Sequence, residues 1–150
     1  MTRFLLSSTI FLNPIHQYRT HSLIHIRMKK KTIIASQDDR LRNALEFLLA
    51  TEPEAQIAGS SNNLGGLLAL AQATLPDLVM LDWDLTNQPE TDLLADLRQI
   101  HPATKTMVFS SHEMAPQVFS AGADVCIPKG SLPDTILKNF RELFRISTLT

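Results

Sequence analysis

Pro76-Asp77-Leu78-Val79-Met80-Leu81-Asp82-Trp83-Asp84-Leu85-Thr86 is the stretch on which the reading of this chain turns. Its four consecutive apolar residues, Leu78 to Leu81, sit between a Pro-Asp start and an acidic stop, with the length and composition of a strand buried on both faces. Such strands belong to parallel sheets covered by helices on either side. Asp82 closes the run, and open α/β sheets gather their chemistry at the carboxyl ends of their strands. Asp82 is therefore the first candidate for a functional side chain.

Element types alternate regularly around this strand. Upstream, Thr32–Ser36 reads as a short apolar strand, and Leu41, Ala44, Leu45, Leu48 and Leu49 have helical spacing that stops before Pro53. Gln56–Gly59 is a weaker strand, and Leu64–Thr74 a helix with an early Gly65-Gly66. Downstream come a loop with Pro89, a helix from about Thr91 to Ile100, and a strand Thr106–Phe109. A short helix around Pro116–Ala121, a strand Val125–Ile127 and a helix Leu132–Phe144 complete the pattern. In that last helix Leu132, Ile136, Leu137, Phe140 and Phe144 share one side. Five strands alternating with five helices predict an α/β fold with a parallel sheet.

The chain has 150 residues, 44% hydrophobic and 19% charged, enough for one domain with a real core. The formal charge of −1 is unevenly spread. Residues 1–31 carry Arg3, Arg19, Arg27, Lys29, Lys30 and Lys31 without an acid, whereas the remainder holds 8 bases against all 15 acids. An acidic body argues against nucleic-acid binding, which needs a basic face. The lone Cys126 excludes an internal disulfide and a cysteine-based zinc site. Residues 1–28 read as a poorly ordered extension or as a mis-assigned start, since Met28-Lys29-Lys30-Lys31 leads straight into the first strand. A signal peptide or organelle presequence is the other reading of that acid-free segment, although no Ala-x-Ala-like cleavage site follows it. Its histidines, His16, His21 and His25, lack companion carboxylates or cysteines and read as chance composition. No run reaches the roughly 20 apolar residues needed to span a bilayer.

In a parallel sheet all strands point the same way, so their ends converge on one edge. Here those ends carry Ser36-Gln37-Asp38-Asp39, Asp82, Ser110-Ser111 and Lys129. A nucleophilic carboxylate, a hydroxyl, a cation and further acids for a divalent metal are the parts that phosphoryl transfer needs.

Three stretches, Pro76-Asp77-Leu78-Val79-Met80-Leu81-Asp82, Met107-Val108-Phe109-Ser110-Ser111-His112 and Ala121-Gly122-Ala123-Asp124-Val125-Cys126-Ile127-Pro128-Lys129-Gly130, make residues 30–145 resemble the receiver domain of bacterial two-component response regulators. The resemblance implies a receiver domain over 29–147 with a tail at 148–150. Its fold would be the doubly wound, flavodoxin-like (CheY-like) three-layer sandwich, with five strands in the order 2-1-3-4-5. It also implies that Asp82 accepts a phosphoryl group from a sensor histidine kinase or a histidine phosphotransfer protein, with Ser110 as switch hydroxyl and Lys129 contacting the phosphate. The expected cofactor is Mg²⁺, held by Asp38, Asp39, Asp82 and the backbone carbonyl of Asp84. Such a protein is no enzyme beyond self-phosphorylation and autodephosphorylation, and its expected place is the cytoplasm.

The departures from the family pattern are as specific as the matches. An ungapped match through Leu41-Arg42 puts Ser36 and Gln37 on the usual acid pair, whereas a first strand one or two residues longer brings Asp38 and Asp39 there. A serine and a neutral amide are poor substitutes for the anionic oxygens that hard cations prefer. Thr86 replaces a common proline, Cys126 stands where an aromatic switch residue is frequent, and Gly130 follows the lysine in place of proline.

Each marker also has a plainer reading. Asp82 alone could be a helix cap, Ser110-Ser111 a turn and Lys129 a solvated surface lysine. Trp83 could cover apolar surface, and Cys126 could be a small buried hydrophobe. Asp82-Trp83-Asp84-Leu85-Thr86 also satisfies the Asp-x-Asp-x-Thr signature of haloacid-dehalogenase-type phosphatases. That class carries its nucleophile on an early strand and needs a later acid pair, which this chain lacks after Lys129. The closer rival keeps the receiver fold and drops its chemistry, leaving a phosphorylation-independent interaction module. With about 20 residues after Lys129, one closing helix is expected and no output domain. Output would then run through the 115–145 face to a downstream protein or a second copy, with neither nucleic acid nor membrane as partner.

Overall fold

A computed structural model describes residues 28–86 and 92–145. The expected N-terminal extension, its histidines, the Pro89 loop, the helix start at Thr91 and the 148–150 tail lie outside the described residues. Five strands, β1 (Lys30–Ala35), β2 (Ala55–Ser61), β3 (Leu78–Asp82), β4 (Lys105–Ser110) and β5 (Val125–Pro128), form one sheet in the order β2-β1-β3-β4-β5. All four pairings are parallel. The connecting helices are α1 (Asp39–Leu49), α2 (Leu64–Thr74), α3 (Leu93–Ile100), α4 (Ala115–Ser120) and α5 (Pro133–Leu143).

The alternation of side chains along a strand divides the core between the two faces of the sheet. Ile33, Val79, Leu81 and Val108 face one layer with Leu67 of α2, Leu94 and Leu97 of α3 and Val118 of α4. Ile34, Leu78, Met80, Met107, Phe109 and Ile127 face the other, with Leu45 and Leu49 of α1 and Ile136 and Phe140 of α5. The result is the expected doubly wound three-layer sandwich. Every residue of β3 is buried, because it is central in the sheet and covered on both faces.

The differences from expectation lie at element ends. β1 stops at Ala35, one residue early, and α1 begins at Asp39 with Asp38 as its N-cap. β2 extends beyond the Gln56–Gly59 expected for it, and at the sheet edge it is only half covered, which weakens its apolar signal. Gly66 lies inside α2 because the helix passes close to β2, where a Cβ would collide with Ser61 Oγ. α4 is preceded by a 3-10 turn over His112–Met114. Leu132 does not join the apolar side of α5: it is the extended N-cap and 72% exposed. The following Pro133 disfavours helical backbone at that position.

Candidate functional site

The carboxyl ends of β1, β3, β4 and β5 bring Ser36, Asp82, Ser110 and Lys129 to one edge of the sheet. Asp82 is only 5% exposed, and both of its oxygens are occupied. Oδ1 lies 2.8 Å from Lys129 Nζ and accepts the backbone N–H of Asp84 at 3.0 Å. Oδ2 accepts the Ser36 hydroxyl at 2.7 Å.

Ser36 is fixed from several sides. Its N–H donates to Ser61 O, its carbonyl accepts from Arg42 Nη1 at 2.5 Å, and its hydroxyl accepts the N–H of Asp38. The ungapped register is therefore the one adopted, with Ser36 buried against the candidate nucleophile and Gln37 exposed.

The expected metal ligands Asp38 and Asp39 are engaged elsewhere. The Asp38 side chain accepts the N–H of Arg40 as the cap of α1, and Asp39 is exposed and pairs with Arg42. With β1 ending at Ala35, these two acids fall on the first turn of the helix, where negative charge suits its N-terminus. The remaining donors do not fit a resident Mg²⁺. Asp82 and Asp84 share Lys129, the other facing group is a hydroxyl, and hard dications prefer several anionic oxygens. Among the described residues no three His, Cys, Asp or Glu side chains cluster in a way that could hold an ion.

Lys129 bridges two carboxylates, at 2.8 Å from Asp82 and 2.6 Å from Asp84. Partial burial pulls its pKa down, but the hydrogen bonds and attraction of Asp82 and Asp84 outweigh this and raise it above 10.5. The backbone N–H of Lys129 donates to Ser110 O, and Gly130 turns the chain away with φ +87°, a left-handed value that favours glycine. The Asp84 side chain thus holds the lysine, a role the sequence had not marked.

Ser110 is buried, yet its hydroxyl is turned away from Asp82. It donates to Ser111 O at 3.0 Å and lies 3.2 Å from Cys126 Sγ. Cys126 is half-buried against the core, so sulfur and hydroxyl meet at the position where the family resemblance led us to expect an aromatic ring. Trp83 packs partly on the same core layer, in keeping with its plainer reading.

The phosphatase reading fails on this geometry. Asp84 is largely exposed and tied to Lys129, and β5, the last strand among the described residues, leads to that lysine and no acid pair. No described helix is long and apolar enough to cross a membrane.

The model of the response regulator receiver domain matches residues 32–141. The chain is 23% identical over 122 residues to the uncharacterized transcriptional regulatory protein YxjL of Bacillus subtilis, covering 78% of this chain and 56% of that protein. It is 28% identical over 101 residues to the nitrate/nitrite response regulator protein NarL of Escherichia coli, covering 65% and 47%. It thus spans about half the length of these curated relatives. The signal receiver domain of the putative response regulator NarL from Mycobacterium tuberculosis superposes with a TM-score of 0.70 at 18% identity, over 81% of this chain and 100% of that one. A CheY-like receiver domain protein from Methanospirillum hungatei gives 0.66 at 22% identity, over 78% and 94%. These two likenesses establish the fold.

Proposed function

The chain belongs to the response regulator receiver family of two-component signalling, and we propose that it signals by protein contact with Asp82 held in an ion-paired pocket, independently of phosphorylation. The observation that carries this reading is the 2.7 Å hydrogen bond from Ser36 to Asp82, made where an anionic metal ligand would stand. Attack of a carboxylate on a phosphoryl group brings anion to anion and needs preorganised positive charge. Lys129 supplies it here, and it is already divided between two carboxylates. A phosphoryl group on Asp82 would turn its single negative charge into about two, a net gain of about one in this pocket. The Ser110 hydroxyl is also committed to Ser111 and Cys126.

The surface for output is the 115–145 face, formed by α4, β5 and α5. Phe119 and Leu132 there are 53% and 72% exposed, apolar side chains suited to a downstream protein or a second copy. A cytoplasmic setting is part of this proposal.

One observation favours a second reading. Asp82, Lys129 and Ser110 all stand at adjacent strand ends, the set expected for a phosphoacceptor, a phosphate-contacting lysine and a switch hydroxyl. In that case a sensor histidine kinase or histidine phosphotransfer protein would be the donor. Incubation with acetyl phosphate and with beryllium fluoride in Mg²⁺, followed by intact mass and NMR beside Asp82→Asn, separates the two. The first reading expects no adduct and no shift. An adduct of one phosphoryl group that disappears in Asp82→Asn establishes the second.

A further inference from the structure

We propose that Lys129 has taken over the charge-balancing place of a divalent cation, so that the Asp82 pocket is complete without a metal and takes none up. The Lys129 ammonium lies between Asp82 Oδ1 and Asp84 Oδ2, bridging two carboxylates as a dication would. The second Asp82 oxygen is capped by Ser36, and the first also accepts the Asp84 N–H. No oxygen of the buried carboxylate is left without a donor.

The charge balance points the same way. Two carboxylates against one ammonium leave a single excess negative charge, and Asp84 carries its share in solvent, with a side chain 79% exposed. Carboxylates in place of Ser36 and Gln37 would raise that excess to three. A dication loses most of its electrostatic reason to leave water when the excess falls to one, because dehydration must be offset by several anionic ligands. The Ser36 hydroxyl adds a steric term, since it lies within hydrogen-bond distance of the oxygen that a metal would claim.

This inference rests on the reading of Asp82 as a held pocket, but its test measures cation binding and not phosphoryl transfer, so the two fail separately. The chain has one tryptophan, Trp83, directly after Asp82, which makes intrinsic fluorescence a local probe. Titration of the unsubstituted protein with Mg²⁺ and with Mn²⁺, followed by Trp83 fluorescence and by ¹H–¹⁵N NMR, is expected to give no saturable change in the millimolar range. The Ser36→Asp/Gln37→Asp double variant is expected to gain a saturable response to both ions. A saturable response of the unsubstituted protein that is lost in Asp82→Asn overturns the proposal, whether or not the double variant folds. A double variant with a folded NMR spectrum that ignores both ions overturns the assignment of the lost site to Ser36 and Gln37.

Discussion

Ser36 and Asp82, 46 positions apart in the chain, are joined by a buried 2.7 Å hydrogen bond between the ends of neighbouring strands β1 and β3. The same hydroxyl accepts the N–H of Asp38, so one oxygen links the β3 carboxylate to the cap of α1. Ser36→Ala removes a donor to a charged group and leaves Asp82 Oδ2 short of one. A loss of about 1.5–3 kcal/mol is expected. Urea unfolding should show a lower midpoint with an unchanged slope.

Lys129 is the counter-charge of a carboxylate that is 95% hidden from solvent, and its loss leaves that charge uncompensated. The lysine itself is 37% exposed, so screening reduces the effect below that of a fully buried pair. Lys129→Met is expected to cost about 1–2 kcal/mol at neutral pH. Lys129→Met/Asp82→Asn should recover part of that loss, which a double-mutant cycle by urea unfolding measures directly.

The raised pKa of Lys129 also fixes a direction for pH dependence. The folded state holds the proton more tightly than the unfolded chain, so the stabilisation is fully present below 10.5 and is lost as pH rises through the higher folded value. The stability difference between the unsubstituted protein and Lys129→Met should therefore shrink on alkaline titration above 10.5 and stay flat below it. An unchanged difference across that window would show that the lysine charge contributes nothing.

Gly122 has φ +106°, and its carbonyl accepts the guanidinium of Arg98, which ties α3 to the turn before β5. A Cβ at Gly122 would be strained and would also meet that guanidinium. Gly122→Ala should destabilise by about 1–3 kcal/mol. In NMR spectra the largest shifts should fall on the Arg98 and Ala123 amides.

Glu52 is 4% exposed at the end of α1 and pairs at 2.8 Å with Arg141 of α5. Arg141→Ala removes the counter-charge and leaves the carboxylate only the Glu54 N–H as donor, and because the arginine is one-third exposed the expected cost is about 2–3 kcal/mol, at or just below the low end for a broken buried pair. Arg141→Ala/Glu52→Leu should regain most of it in thermal unfolding.

What could be read in the sequence follows from how local its cause is. β3 was legible to the residue because burial on both faces makes it a continuous apolar run. Asp82 and Lys129 followed from strand ends meeting at one edge. The end of β1 was not legible, since Ser36 and Asp38 exchange places with a shift that only pairing with β3 decides. The orientation of the Ser110 hydroxyl depends on a sulfur 16 positions away, and the grip of Asp84 on Lys129 on a side chain 45 positions away. Leu132 was misjudged because helical spacing was extended through a residue that the next proline holds out of the helix.

The backbone bond from Lys129 to Ser110 makes the tip of β4 and the entry to α5 one mechanical piece. Only Gly130 and Ser131 separate Lys129 at the pocket from the apolar tip at Leu132, and Gly130 makes the left-handed turn between them. Pocket and outer face are thus neighbours along the chain, joined through a single left-handed turn.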